Sequence, residues 1–276
     1  MKGTALASIV LCLWTLLALT APWLPLDPAR IDLTHILAPP ALHNWLGWDD
    51  LGRPVWERLI MGAHVSFLVA VGVVALSSTL GVIFGATTAY LGGWWDRLAV
   101  RIIDVFLAFP GILLTITLAG LLGPGIGNVI IALGTVGWVS YARITRAQVL
   151  SIKHRDHVRA AQSLGVHEMR IIFRHLLPLI LSPLIIETTA GIASVITVEA
   201  GLSFLGLGVQ PPAASWGSMI RDGTRYLLVA PHLVIAPGIA LATVVLAVNL
   251  LGDALRDHLD VQKNRTQTSP ITRKHR

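Results

Sequence analysis

Cysteine, lysine and charge of either sign are scarce in this sequence. Charged side chains make up 13% of its 276 residues, against roughly 25% in an average soluble domain. The hydrophobic share is 54% and the mean hydropathy is +0.70. A soluble protein this apolar could not cover its surface with polar groups, so the class is an integral membrane protein. The single cysteine, Cys12, excludes an intrachain disulfide and is expected simply to pack in its apolar run. The four lysines are Lys2, Lys153, Lys263 and Lys274, and none follows a glycine. A P-loop needs Gly-Lys-Ser/Thr to cradle phosphates, so the chain cannot bind ATP by that device. HExxH and GxSxG are also missing, which removes support for two hydrolase classes. Ten histidines are scattered, with no i, i+4 pair inside an apolar run. His154 and His157 lie in a basic stretch and fit solvated side chains better than metal ligands, and no metal site is expected.

Six apolar runs are present. They cover Thr4–Leu24, His64–Tyr90, Ile102–Leu122, Ile126–Tyr141, Leu176–Val198 and His232–Leu251. The first is about 31 Å of helix at 1.5 Å per residue, enough to cross a bilayer. Its flanks also resemble a secretory signal peptide, whose removal would leave five spans. Gly-Pro-Gly-Ile-Gly at 123–127 is too short for more than a tight hairpin between two spans. It loosely resembles a nucleotide-binding fingerprint, but no strand precedes it. With the N-terminus inside, the cytoplasmic pieces hold 16 of the 21 Lys and Arg and the outer pieces hold 5. That asymmetry places both termini in the cytoplasm. It also accounts for the net charge of +6 through a lipid bilayer and without nucleic acid as a partner. The expected organisation is an N-terminal span over 1–24, an extracytoplasmic segment over 25–61, a five-helix core over 62–260 and a basic cytoplasmic tail over 261–276. A long cytoplasmic loop, 143–175, lies inside the core.

Several residues stand out within this frame. Gly81 and Gly85 form a GxxxG pair that would let helices approach closely. Glu187 falls within a span and Glu199 follows at its outer end. A carboxylate at that depth is costly, and it either lines a wet path or bonds another helix. Asp104, near the start of its run, suits an interfacial place. The loop sequence HVRAAQSLGVHEMRIIFRHLLP, 157–178, is polar and basic. Asp156 to Leu164 can form a short helix, with Asp156 favourable at its N-terminal end. Ala160 and Ala161 would leave a smooth face, and Gly165 can take the positive φ that ends the helix. Pro178 would open the next span, where its missing N–H is tolerated. Physically this is a knob suited to a groove on another protein, or an ordinary basic loop.

RAAQSLG followed by LLP resembles the "EAA" loop in permease subunits of binding-protein-dependent ABC importers. Ala160, Ala161, Gly165, Leu177 and Pro178 match that pattern, whereas Arg159 stands where the family has Glu and His175 where it has Ile. HNWLGWDDLGRPVWERL, GGWWDRLAVRIIDVFLAFP, VEAGLSFLGLGVQPPAASWG and NLLGDALRDHLD are similar to segments of the dipeptide, oligopeptide and nickel branch. Pro54 departs from that branch, which has Asp after LGR.

The resemblance implies an all-α type I permease in a bacterial inner membrane. It would be the second, shorter-loop permease of a pair. Its partners would be another permease, two ATPase subunits or domains, and an extracytoplasmic substrate-binding protein. ATP would be bound by the ATPase, and this chain would need no cofactor of its own. Arg159, Ala160, Ala161, Gly165, Leu177 and Pro178 would couple it to the ATPase. Glu187 and Glu199 are candidates for the translocation path. ATPase closure would drive alternating access, provided the ATP-bound partner favours one permease state over the other. The branch covers peptides and nickel chelates, and GDALRDHLD leans toward nickel. The rival classes are an ion-coupled secondary transporter using Glu187, Glu199 or Asp104, and a membrane scaffold or enzyme without transport.

Overall fold

A computed structural model describes residues 2–42 and 44–267. His43 and the end of the expected basic tail, 268–276, lie outside the described residues. Among the described residues the regular structure is helical. The first helix, α1, runs Lys2–Thr20. Cys12 is exposed on it, so the expected packing of this thiol is not found.

The segment after α1 folds back along the start of α2, Val55–Leu91. This helix begins nine residues before the expected span. Its first turn carries Glu57 and Arg58, which hide it from a hydropathy reading, and both charges are used. The Glu57 carboxylate accepts a bond from the Asp27 N–H at 2.7 Å. Arg58 approaches Asp49 at 3.4 Å, and Asp49 also receives Arg53 Nε at 2.7 Å. Pro54 stands at the N-cap and makes no side-chain cap. His64 Nδ1 bonds the Ala18 carbonyl at 2.7 Å, tying α2 to α1.

The third expected span is not one helix. It forms α3, Gly93–Leu107, and α4, Gly111–Leu122, bent by 82°. Pro110 lies at the break; it has no N–H to continue the α3 ladder, and its ring crowds the preceding turn. Twelve residues of α4 give about 18 Å, too short to cross a bilayer of about 30 Å alone. The next helix, α5, runs Ile126–Ile152, eleven residues beyond the expected end at Tyr141. Its last turns carry Arg143 and Arg146. A glycine turn at 123–125 joins α4 to α5, as expected.

After the loop comes α8, Leu181–Phe204. Then follow a short α9, Trp216–Thr224, and a long α10, His232–Gln267. The α10 helix carries the last span past Leu251 into the first residues of the expected tail. Among the described residues, four stretches are long and apolar enough to cross a membrane: 3–23, 55–91, 168–204 and 232–259. The bent pair α3–α4 makes a fifth if counted as one span. A helix occupies the fourth expected position too, but α5 with its arginines is less apolar than these.

The α2–α5 seam is the centre of the packing. At Gly85, an added Cβ would lie 2.5 Å from the Ala142 carbonyl oxygen, and at Gly81 it would collide with the Trp138 carbonyl. On the facing helix a Cβ at Gly137 would sit 2.6 Å from Ser77 Oγ. Small residues on both helices therefore permit backbone contact, which supplies packing where lipid offers no hydrophobic drive. At the outer end, buried Trp216 packs among α2, α8 and α10. Its indole N–H donates to the Leu59 carbonyl at 3.0 Å.

Replacing Gly85 by Val should cost about 1–3 kcal/mol through overpacking. Thermal unfolding of the purified chain should show a lowered midpoint for Gly85→Val. Gly201→Ala, where an added Cβ meets nothing within 4 Å, should leave the midpoint within a degree or so of wild type. Equal midpoints for the two variants would contradict this account of the seam.

Candidate functional site

Two regions concentrate polar chemistry: a foot built from the loop after α5, and a cavity between α3, α5 and α8. In the foot, α6 covers Asp156–Ser163 and α7 covers Glu168–Ile171. Asp156 occupies the first turn, as its charge favours. Gly165 has φ +72° and turns the chain out of α6. Pro178 falls in the first turn of a 3-10 segment, Leu177–Ile180. A π turn, Ile172–Leu176, precedes it. The chain thus reaches α8 through an irregular stretch, with the regular helix beginning at Leu181.

The foot is packed from beneath by its own residues. Val158 and Ala161 are buried with Ala86 and Ala89 of α2 and with Ile171, Ile172, Leu176, Ile180 and Leu184; Leu177 packs partly buried against them. Lys153 Nζ donates to the Ala89 carbonyl at 2.9 Å, and Gln162 Nε2 donates to the Tyr90 hydroxyl at 3.0 Å. These contacts correct one expectation. Ala160 and Ala161 do not form a common outer face: Ala160 is exposed, whereas Ala161 is 6% exposed and faces inward. On a helix adjacent residues point about 100° apart, so two neighbours rarely share one face. The outward surface comprises Arg159, Ala160, Ser163 and Leu164. Leu164 is 82% exposed. Nearby, Met169 and Phe173 are also exposed. No sequence signal separated them from Val158, Ile171, Ile172 and Leu176, which the same stretch buries.

The cavity has a volume of about 630 Å³ and is lined by residues that include Asp104, Ser140, Arg143, Arg146 and Glu187. A second cavity of about 390 Å³ continues from it between α2, α4, α5 and α8. Ser140 and Glu187 line both. Arg146 forms a bidentate pair with Asp96 at 2.7 and 2.9 Å, joining α5 to α3. The sequence reading did not single out Arg143 or Arg146, because a hydropathy profile puts them in the loop and α5 carries them upward.

The two glutamates have different surroundings. Half-buried Glu187 faces the cavities. Glu199 is 1% exposed and lines neither. Its carboxylate accepts bonds from Ser203 Oγ at 2.8 Å and Ser66 Oγ at 3.3 Å. Ser215, also beside it, caps α9 with Ser218. Glu199 is therefore a tie between α2, α8 and the start of α9. Among the described residues no group of three His, Cys, Asp or Glu side chains could hold a metal ion.

The order of the helices, the foot and the cavity beside it agree with the family match. The chain belongs to the family of binding-protein-dependent transport system inner membrane components, whose profile matches residues 77–264. It is a permease of the ABC importer class, a multi-pass membrane protein. Among curated relatives, it is 40% identical over 256 residues to the glutathione transport system permease protein GsiD of Escherichia coli O157:H7, covering 92% of this chain and 84% of that one. It is 41% identical over 256 residues to the nickel transport system permease protein NikC of Escherichia coli K12, covering 92% of each. A solved chain of the MetNI methionine ABC transporter in an inward-facing conformation shares the fold, with a TM-score of 0.59 and 18% identity. That match covers 74% of this chain and 97% of the other. Membership decides against the ion-coupled transporter and the scaffold.

Ala161→Trp should overpack the foot and cost about 1–3 kcal/mol, whereas Ala160→Trp, on the exposed side, should stay within about 0.5 kcal/mol of wild type. Thermal unfolding of the two purified variants checks this, and equal losses would contradict the assigned facing.

Proposed function

We propose that the chain is one half of a translocation pathway for peptides or nickel chelates, in a bacterial inner membrane. It works with a second, different permease, two ATPase subunits or domains, and an extracytoplasmic substrate-binding protein. ATP is bound and hydrolysed by the ATPase, and this chain contributes no catalytic residue or cofactor. The observation that carries the proposal is the foot. Its outer surface presents the side chains of Arg159, Ala160 and Leu164, which are exposed among the described residues, while Val158 and Ala161 fasten its inner surface to α2 and the approach to α8. A groove on the ATPase that grips the outer surface can thereby move the helices behind it. Gly165 and Pro178 shape this foot, and Ala161 and Leu177 serve it from within.

Ala160→Trp and Leu164→Ala should reach the membrane in normal amount and lose the ATPase on gentle detergent purification. Losing a packed apolar anchor or adding bulk at a close contact costs about 1–3 kcal/mol, and 1.4 kcal/mol is tenfold in association. Gly165→Val should act similarly, because a β-branched residue resists positive φ. Retention of the ATPase and of solute-stimulated ATP hydrolysis in all three would make this segment a plain basic loop.

Both termini are cytoplasmic in this reading, as the distribution of Lys and Arg requires. In a Cys12→Ser background, a cysteine at Thr34 should be labelled by an impermeant thiol reagent in spheroplasts. A cysteine after Asp260 should be labelled only once the membrane is opened. Labelling of the tail in intact spheroplasts would invert the topology.

A further inference from the structure

The first turns of α3 are loosely held. They join α2 through Gly92 and Gly93, at φ +70° and +56°. Two successive left-handed glycines make a joint that no side chain stiffens, and an added Cβ at Gly93 would meet nothing within 4 Å. Trp94 and Trp95 are exposed. Spaces of about 480 Å³ and 310 Å³ flank these turns, the first lined by Trp94, Asp96 and Arg97, the second by Trp95 with Phe84 and Leu91 of α2. Firm packing begins only at Ala99. Ala99 and Ile103 are buried, and the Phe106 ring meets Trp138 edge to face. At the loose end one contact reaches α5: Arg146 donates from Nε and Nη2 to the Asp96 carboxylate at 2.7 and 2.9 Å. No other side-chain hydrogen bond or ion pair leaves α3 among the described residues.

The glycine joint is also where the foot takes hold. Lys153 Nζ bonds the Ala89 carbonyl and lies 3.6 Å from where a Cβ on Gly92 would stand. Gln162 of α6 donates to the Tyr90 hydroxyl. Val100, Asp104 and Arg146 line both the 630 Å³ cavity and the 480 Å³ space, so α3 is part of the wall between them. We infer that the Arg146–Asp96 pair is a latch. Closed, it holds the first turns of α3 against α5. Released, it lets them swing on Gly92 and Gly93 and reshape the cavity that Glu187 faces. A bidentate fork suits this task, because its two bonds share one geometry and are lost together when the helices shift. The side chains are 28% and 19% exposed, so water can take over the freed charges and the latch opens without stranding an ion in a dry interior. Arg146 and Asp96 are positioning residues in this account. The foot drives the latch if the nucleotide-bound ATPase favours its open form. The inference rests on the permease reading above and assigns one link between foot and cavity.

The test uses the purified complex of both permeases with the ATPase in nanodiscs, with the partner chains made cysteine-free. In a Cys12→Ser background, spin labels are attached through Trp94→Cys and Ser151→Cys, both at exposed positions. Pulsed double-resonance spectroscopy should give a short distance without nucleotide and a longer one after trapping with ATP and vanadate. Without nucleotide, Asp96→Asn and Arg146→Gln should each move the ratio of short to long distances about tenfold toward long, the effect of losing a charged hydrogen-bonded pair. Arg101→Gln removes an exposed charge that lines the same space without a partner among the described residues, and should leave the ratio unchanged. Wild-type distances that ignore nucleotide, wild-type ratios in both latch variants, or an equal shift in Arg101→Gln would overturn the inference. If neither latch variant assembles, the nucleotide response of wild type decides alone. Elution of the ATPase with the wild-type permeases checks the broader reading separately. A failed latch leaves the ATPase bound, whereas its absence would overturn the permease reading, and this one with it.

Discussion

Backbone contact between α2 and α5 is the constraint on which the rest of this protein depends. In lipid, two apolar helices gain little by merely touching, so proximity has to come from shape. Gly81 and Gly85 supply it on one side, and Gly137 lies opposite Ser77 on the other. With those two helices fixed, α3 is positioned through the Arg146–Asp96 pair. The Phe84, Phe106 and Trp138 rings pack edge to face beside it. Tyr141 and Ala142 then place Ser140 and Arg143 toward the cavity shared with Glu187. The site and the seam are thus made by the same turns of α5, with small residues facing one way and polar residues facing another.

The polar groups kept inside the bundle sort by what they touch. Glu199 is enclosed by hydroxyls from α2, α8 and the α9 cap. A carboxylate fully surrounded by donors serves as a fastener. Glu187, twelve residues earlier on the same helix, lines the two cavities with Ser140 and has an open space in front of it. Outside the span, the Asp32 carboxyl has a pKa lowered to about 2 by the Thr34 hydroxyl and the neighbouring His35. It stays ionised throughout physiological pH and holds its turn in the outer segment.

Most of the helices could be read from the sequence, because an apolar run of about twenty residues is too long for a buried strand and long enough to cross a bilayer as a helix. The boundaries were obscured wherever a helix carried charge that the protein itself neutralises. Glu57 and Arg58 concealed the start of α2, and Arg143 and Arg146 concealed the end of α5. The break at Pro110 was visible as a residue but not as an 82° bend, since proline can also merely kink a span. In the foot, the helix, the left-handed Gly165 and the place of Pro178 followed from local rules. The inward facing of Ala161 did not, because it depends on Ala86, Ala89 and Ile171, which are distant in sequence. Glu187 and Glu199 were indistinguishable by type and depth, and only their neighbours on other helices separate them.

The α2 helix is one uninterrupted rod of 37 residues, about 55 Å at 1.5 Å per residue. Its lower end is clasped by the foot through Ala86, Ala89 and the Lys153 bond. Its upper end is clasped by Trp216 and the Asp49–Arg58 contact. A hydrogen-bonded helix barely shortens under load, so displacement at one clasp arrives at the other nearly undiminished. Mechanically it is a connecting rod. The jointed α3–α4 pair, by contrast, can fold at its elbow and absorb a push. A push on the foot would therefore be carried to the far end along one helix and taken up along the other, and the second cavity lies between α2 and α4.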